Sequence, residues 1–410
     1  MTTAELAPSR PEPTTAAPVI TGIGVVAPNG VGTEQFWANV LSGHSGLGPV
    51  TGFDAEGYPV RLVGEVPADL EPLPNRLTVQ TDRWTRLAMT ATVEALRDAG
   101  IDPAGELPFG EYDIAVITAS SSGGNEFGQR EISQLWSEGP EQVTVYQSIA
   151  WFYAATTGQL SIRHGLRGPC GVVVGEQAGG LDALAQSRRM LRTGTKAVLT
   201  GGTEAPLSPY ALVCQGASGL FTKDDYLPFD VRASGHVPGE GGAILLMEDE
   251  QSARSRDEST VYGRVAGYAA TFDPRPGSGR PGGLLRAATA ALADAGLRPS
   301  DVDVVFADGA GSPARDAEEA AVLVKLFGPR GVPVTVPKTM TGRLAAGGAP
   351  LDVACALLAM RDDVIPPTTG VTTAAHDLDL VLAARPATVR TALVLARGFG
   401  GFNSALVLTH

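Results

Sequence analysis

Two pairs of apolar runs, set far apart in the chain, constrain its fold more than any other feature. The run from Lys196 to Thr200 is predicted to form a strand, and the run from Gly242 to Glu248 is predicted to form a strand antiparallel to its neighbour. The runs from Thr391 to Ala396 and from Ser404 to Thr409 repeat that pairing. Each pair follows a similar order of helix, strand, turn and helix. The repetition predicts an α/β chain whose two pseudo-duplicated halves pack into one layered body, with a polar join at Gln251 to Ser259.

Hydrophobic periodicity and glycine positions assign the remaining elements. The first half is predicted to hold strands at Pro18 to Val26, Asp113 to Thr118 and Gly171 to Val174, and helices at Thr33 to Leu41, Asp82 to Ala99 and Ala178 to Leu191. The second is predicted to hold helices at Leu284 to Ala295 and Ala314 to Phe327 around a strand at Val302 to Ala307. We predict a disordered tail at residues 1–17, an N-terminal half at residues 18–250 and a C-terminal half at residues 251–410.

Charge and cysteine content argue against several classes of protein. The chain has 31 Lys and Arg against 44 Asp and Glu, and its net charge of −13 disfavours a surface that tracks nucleic-acid phosphates. Three scattered cysteines and five isolated histidines predict no disulfide framework and no metal site. The N-terminus lacks signal-peptide features, and no stretch reaches the roughly 18 apolar residues of a membrane span. We therefore expect a cytoplasmic protein with no membrane and no nucleic-acid partner.

One strand-to-helix turn has the form of a reactive site. In VVVGEQAGGLDAL, residues 172–184, Gln177 is predicted to occupy the apex of the turn, where a helix N-terminus favours anions and nucleophiles. An amide is neither nucleophilic nor titratable and can only exchange hydrogen bonds. The turn is therefore predicted to be a nucleophile elbow without a nucleophile.

Further motifs accompany this turn along nearly the whole chain. They are VITGIGVVAPNG at 19–30, SIRHGLRGP at 161–169, LPFDVRASGHVPGEGGAILLMED at 227–249, KTMTGRLAAGG at 338–348 and GFGGFN at 398–403. Together they resemble the β-ketoacyl synthases of the thiolase superfamily. GEQAGGLDAL and YQSIAWFYAATTGQLSIRHG resemble more narrowly the chain-length factor, the second ketosynthase-like subunit of bacterial type II aromatic polyketide synthases. The resemblance implies a thiolase-like fold of five αβαβα layers.

The departures from an active condensing enzyme are as informative as the matches. The family's catalytic Cys, His and His correspond here to Gln177, Asp308 and Arg343. In the family those histidines supply donors to the enolate formed on decarboxylation, and a carboxylate at 308 would repel that charge. The family's structural Glu and Lys are matched by Glu319 and Lys338, and its glycine-rich loop keeps Phe399. Because an unpaired buried charge is costly, we expect Asp308 and Arg343 to face each other as a partly buried ion pair.

A second segment concerns product length. Residues 119–136 (ASSSGGNEFGQREISQLW) resemble the segment that lines the polyketide tunnel at the subunit interface, where bulky side chains are associated with shorter products. The matching positions are Asn125, Gly128 and Ile132, with Tyr210 on a facing loop, and none of the first three is aromatic. We therefore expect a decaketide or longer product, shortened by Gly128→Phe or Ile132→Trp. The alternatives are that Gly128 only breaks a helix and that Ile132 only fills the core.

Three weaker signals remain open. A small basic group is either a docking point for an acidic carrier protein or a solvated helix end: Arg188, Arg189, Arg192 and Lys196. Cys214 is expected to be a packed thiol. The aromatic segment Val145 to Tyr153 belongs to the dimer interface by resemblance, and ordinary core is its alternative.

The resemblance implies a subunit of an acyltransferase complex that does not itself condense. The expected partners are a cysteine-bearing ketosynthase alpha subunit and an acyl-carrier protein whose phosphopantetheine arm holds malonyl units and the growing polyketide, with no cofactor bound to this chain. The alternative is a malonyl-acyl-carrier-protein decarboxylase that supplies the acetyl starter through Gln177. A homodimeric condensing enzyme is rejected because the chain lacks the nucleophile.

Overall fold

A computed structural model describes residues 17–67, 70, 72–256 and 260–410 of the chain. The predicted disordered tail therefore lies outside the described residues, apart from residue 17. The same holds for residues 257–259 of the predicted polar join, whose first part forms a short helix.

The described part of the chain forms both strands and α-helices. The strands are β1 (Val19–Ala27), β2 (Gly30–Val31), β3 (Leu47–Pro49), β4 (Leu62–Gly64), β5 (Ile114–Ala119), β6 (Cys170–Val173), β7 (Ala197–Glu204), β8 (Gly241–Glu248), β9 (Gly263–Phe272), β10 (Val304–Phe306), β11 (Pro333–Thr335), β12 (Val364–Ile365), β13 (Asp379–Leu380), β14 (Arg385–Pro386), β15 (Thr391–Arg397) and β16 (Phe402–Thr409). The helices are α1 (Thr33–Leu41), α2 (Asn75–Thr78), α3 (Arg83–Asp98), α4 (Asn125–Glu138), α5 (Gln147–Ala150), α6 (Ala155–Arg163), α7 (Glu176–Arg192), α8 (Pro209–Gly216), α9 (Glu250–Arg254), α10 (Leu284–Asp294), α11 (Pro313–Phe327) and α12 (Gly348–Asp362).

The sheet topology shows the duplication expected from the sequence. In the first half the strand order is β6-β5-β7-β8-β1, with β5 parallel to both of its neighbours and β8 antiparallel to both of its own. In the second half β11-β10-β15-β16-β9 repeats the same order and the same directions. A short antiparallel pairing of β1 with β9 joins the two half-sheets. The predicted equivalence of the pairs β7–β8 and β15–β16 is therefore confirmed.

Burial of three apolar clusters stacks these elements in five layers. Residues alternate between the two faces of each strand, so each half-sheet packs against helices on both sides. Helices α7 and α12 lie between the half-sheets in the central cluster, which includes Val25, Leu245 and Val394. The outer faces are covered by α3 and α6 on the first half and by α10 and α11 on the second. The predicted αβαβα arrangement is thus present.

Two differences from the sequence-based assignment concern the site. Helix α7 begins at Glu176, two residues before the predicted start. Helix α12 was not predicted, because all of its residues from Gly348 to Met360 are buried and no polar face gives it a helical period. Among the described residues, none of the helices combines the length and the apolar character that crossing a membrane requires.

Candidate functional site

The elbow between β6 and α7 holds a strained residue next to a buried amide. Glu176 has φ of 52°, in the left-handed region, and its carboxylate accepts a hydrogen bond from the backbone N–H of Phe399 at 2.9 Å. Gln177 follows it as the second residue of α7, in the first turn of the helix. Its side chain is buried, and neither amide atom has a hydrogen-bond partner in the described chain. A Cβ on Gly348 would lie 2.8 Å from Gln177 Nε2, so the start of α12 closes over the amide.

The ion pair expected between Asp308 and Arg343 is present. The guanidinium donates to both carboxylate oxygens, at 3.0 and 3.1 Å, and also to the Asp308 carbonyl at 2.9 Å. The backbone N–H of Arg397 donates to the same carboxylate at 2.9 Å. Burial favours the neutral carboxyl, but the charges of Arg343 and Lys338 outweigh it and hold the pKa of Asp308 below its usual value. The two groups that replace histidines therefore neutralise each other.

Glu319 and Lys338 hold the loop on which Asp308 lies. Glu319 accepts hydrogen bonds from the backbone N–H groups of Asp308 and Gly309, at 2.8 and 2.9 Å. Lys338 donates to the carbonyl of Ala307 at 2.7 Å and forms a buried ion pair with Asp352 at 2.6 Å. These contacts act on the backbone, so both residues position the loop.

A cavity of about 500 Å³ lies beside the ion pair. Glu176, His236, Arg315, Arg343 and Phe399 are part of its lining, whereas Gln177 and Asp308 are not. Burial, reinforced by the charge of Arg343, lowers the pKa of His236 to about 3, so this imidazole is neutral near pH 7. No role for His236 or Arg315 was predicted from the sequence, although His236 lies within the family motif at residues 227–249.

The groups around this cavity do not form a condensing site. The position of the nucleophile holds an amide, and the guanidinium of Arg343 is engaged by a carboxylate rather than aimed at an oxyanion. Cys214 lines the same cavity and is exposed, which corrects the expectation of a packed thiol.

Most of the segment expected to line the tunnel forms helix α4, and a neighbouring side chain lies against one of its small residues. Asn125 is buried and donates to Ser122 Oγ at 2.6 Å. Gly128 lies inside α4, so the idea of a helix break was wrong, and a Cβ there would lie 2.6 Å from Cδ1 of Trp151. Ile132 is 45% exposed and is not a core residue. Room at position 128 is therefore taken up by an indole from another segment.

Tyr210 and the basic group also depart from expectation. Tyr210 lies in α8 rather than on a loop, and its backbone N–H donates to Gln129 of α4 at 2.8 Å, so α8 does face α4. Arg188 is buried and forms an ion pair with Asp294, which links α7 to α10. The basic group is thus reduced to Arg189, Arg192 and Lys196, and both of its interpretations stay predictions.

The aromatic segment after α4 is a surface rather than a core. Val145 is 80% exposed, and Ile149, Trp151, Phe152 and Tyr153 are each more than a third exposed. The alternative that this segment is ordinary core is therefore wrong.

Comparison with known proteins agrees with the class that this fold and this altered site define. Residues 17–252 match the N-terminal domain of the beta-ketoacyl synthases, and residues 262–372 match their C-terminal domain. The chain belongs to the beta-ketoacyl synthase family.

Two relatives within that family are named for polyketide synthesis. The tetracenomycin polyketide synthase ketoacyl synthase beta subunit of Streptomyces glaucescens is 57% identical over 95% of this chain and 97% of that protein. The actinorhodin polyketide putative beta-ketoacyl synthase 2 of Streptomyces coelicolor is 56% identical over 95% of this chain and 98% of its own length. The predicted resemblance to the chain-length factors is confirmed.

Solved structures share the whole fold at lower identity. The ishigamide ketosynthase/chain length factor has a TM-score of 0.88 and 26% identity, over 96% of this chain and 98% of that chain. A type II acyl-carrier protein in complex with its ketosynthase contains a chain with a TM-score of 0.85 and 25% identity, over 97% and 100% of the two chains. The thiolase-like fold is confirmed.

Proposed function

We propose that this chain is the non-condensing subunit of a type II polyketide synthase, which pairs with a cysteine-bearing ketosynthase and sets polyketide length by shaping the tunnel between them. One observation carries the proposal: the ketosynthase scaffold is complete, while Gln177, Asp308 and Arg343 replace the catalytic set and two of them cancel each other's charge. A nucleophile and free enolate donors must then come from another chain. The names of the two Streptomyces relatives, one a polyketide synthase ketoacyl synthase beta subunit and the other a polyketide putative beta-ketoacyl synthase 2, support the same role.

The partner surface is the edge of the first half-sheet. Strand β6 ends the sheet and has one neighbouring strand among the described residues. Val174, which follows it, is half exposed, Ile162 is 75% exposed, and the aromatic segment Val145 to Tyr153 lies in the same half. An unpaired strand edge with apolar surroundings is a ready template for another chain. A ketosynthase of the same fold has such an edge and is the occupant we propose.

The substrate follows from the partner. Malonyl units on the phosphopantetheine arm of an acyl-carrier protein are joined at the cysteine of the ketosynthase, and this chain supplies tunnel wall, interface and stability. No cofactor is bound to this chain in the proposal. The side chains of Asn125, Gly128 and Ile132 carry no aromatic ring of their own, which supports a decaketide or longer product, and the indole of Trp151 on Gly128 is the bulk that remains at this face of α4.

A decarboxylase role is the second candidate, and one observation favours it. The buried amide of Gln177 has no hydrogen-bond partner in the described chain, so it is available to a malonyl carboxylate or carbonyl. Against this role, the enolate needs donors, and the Arg343 guanidinium is already held by Asp308.

One experiment separates the two candidates. The chain is expressed alone and together with a cysteine-bearing ketosynthase from the same pathway, and native mass and product mass are measured with malonyl-loaded carrier protein. A one-to-one complex that makes long polyketides only with both chains, with or without Gln177→Ala, supports the shaping role. Release of carbon dioxide by this chain alone, lost in Gln177→Ala, would establish the decarboxylase instead.

A further inference from the structure

The indole of Trp151 rests directly on helix α4 at Gly128. A Cβ at position 128 would lie 2.6 Å from Trp151 Cδ1 and 3.3 Å from Nε1, closer than side chains pack. Gly128 is not among the glycines with positive φ, so its backbone does not require glycine. A glycine inside a helix costs about 1 kcal/mol relative to alanine. The reason for glycine at this position is therefore space for the indole.

The backbone of Trp151 is anchored on the same helix. The N–H of Gly124 donates to the Trp151 carbonyl at 3.1 Å, and a Cβ on Gly123 would lie 2.4 Å from that carbonyl oxygen. A Cβ on Gly124 would likewise lie 2.3 Å from the carbonyl of Ala150. Gly123 and Gly124 before α4 and Gly128 inside it thus accommodate one neighbouring segment, which fixes the position of residue 151.

The indole covers the helix face assigned to the tunnel. Asn125, Gly128 and Ile132 are spaced by three and four residues, so they lie on one face of α4. Trp151 covers the middle of that face and is itself 47% exposed. The width available at that point is then decided by the side chain at 151, because the residue at 128 has none.

We propose that Trp151 is a specificity-determining residue of the tunnel, which limits the length of the polyketide, and that Gly128 acts on length only by seating the Trp151 indole. The proposal rests on the proposed function of this chain as a tunnel-shaping subunit. A growing poly-β-ketone meets the flat, rigid indole instead of the gap that the α4 residues alone would leave.

The test measures product mass from the complex of the full chain with its ketosynthase. Trp151→Ala is expected to shift products to chains longer by at least one two-carbon unit, with Trp151→Phe giving a smaller shift. Gly128→Ala is expected to push the indole outward and shorten the product. The double variant Gly128→Ala with Trp151→Ala is expected to behave as Trp151→Ala alone, because no indole is left to displace.

Controls separate this proposal from the function on which it rests. Phe272→Ala, which removes a half-exposed aromatic ring on β9, is expected to leave product length unchanged.

The outcomes of the variants distinguish the two proposals. If Ile132→Trp shortens the product while Trp151→Ala leaves the product length unchanged, this chain shapes the tunnel but Trp151 does not set product length. If Gly128→Ala still shortens the product in the double variant, Gly128 acts on its own and the proposal is wrong. If no variant changes the length, the tunnel-shaping function itself fails. Should Trp151→Ala not assemble, Trp151→Phe and Gly128→Ala decide the matter.

Discussion

At the scale of single residues, the pair Asp308 and Arg343 shows how a catalytic site becomes a structural one. Both side chains are buried, and together with backbone groups of Asp308 and Arg397 they satisfy each other's hydrogen bonds. A buried pair of this kind adds little net stability over a well-packed apolar pair, but breaking it is costly. The pair therefore commits the former catalytic positions to holding the chain together.

A double-mutant cycle tests this coupling. Arg343→Ala leaves the Asp308 carboxylate buried and unpaired, and is expected to lower the free energy of unfolding by about 3–5 kcal/mol. Adding Asp308→Ala removes that stranded charge and is expected to recover part of the loss. Urea denaturation of the unmodified chain, of Arg343→Ala, of Asp308→Ala and of the double variant measures the coupling. Additive losses of unfolding free energy would show that the two residues act independently.

The ion pair could be predicted from the sequence, whereas the partner of Gly128 could not. The two residues carry opposite charges at positions where the family buries its catalytic groups. The free-energy cost of burying these charges is lowest when they face each other. Gly128 and Trp151 belong to different elements, and their contact depends on how α4 and α5 pack. Neither residue carries a local signal of that contact, so its discovery required the tertiary structure.

At the scale of elements, the start of α4 is held by two buried carboxyl groups from other parts of the fold. Asp82, the N-cap of α3, accepts from the backbone N–H of Phe127 at 2.7 Å. Glu204, at the end of β7, accepts from the backbone N–H of Ser121. Burial raises the pKa of Asp82 to about 7 and that of Glu204 to about 8. The segment proposed to line the tunnel is thus tied to α3 and β7 through titratable groups.

These carboxyls predict a loss of stability as the pH rises. Each folded-state pKa lies above the unfolded value, so the folded chain binds more protons, and the free energy of unfolding falls with pH until the folded pKa is passed. Glu204→Gln is expected to keep the hydrogen bond to Ser121 and to reduce the difference in unfolding free energy between about pH 5 and pH 8 by roughly 2 kcal/mol or more. Urea denaturation at both pH values measures it, with the exposed Glu138→Gln as control. An unchanged difference would mean that Glu204 is ionised throughout this range.

The amphipathic helices α1, α3 and α10 could be predicted from the sequence, whereas the fully buried helix α12 could not. Helix α1 has its predicted bounds. Helix α3 is one residue shorter than predicted at each end, and α10 ends one residue earlier than predicted. Their apolar residues recur on one face, which is a local signal. Helix α12 lies between two half-sheets with apolar residues on all sides, so its sequence has no period to detect.

At the scale of the whole molecule, the duplicated sheet has one end prepared for a partner. The sheet ends at β6 on one side and at β13 on the other, and the exposed apolar residues Val145, Ile162 and Val174 lie in the half that ends at β6. The β6 end, with these exposed apolar residues in its half, is where we expect the proposed ketosynthase to pair.

Val174→Asp tests this place. A charge at the proposed interface would be buried without a partner, so the affinity for the ketosynthase is expected to fall by roughly tenfold or more. Titration of purified chains, followed by native mass measurement, gives the affinity. Val231→Asp, at a similarly exposed valine in another part of the chain, is the matched control. Equal affinity for both variants would move the interface away from β6.

The central position of α12 also has a consequence for how the chain is made. The first half-sheet is complete at β8, but the helix that covers its inner face together with α7 is encoded only at residues 348–362. At common rates of synthesis this interval lasts on the order of ten seconds. The newborn chain therefore displays a sheet face that includes Ile23, Val25 and Leu245 until its last third has emerged. Slower translation between β8 and α12 would lengthen that exposure and raise the demand for chaperones.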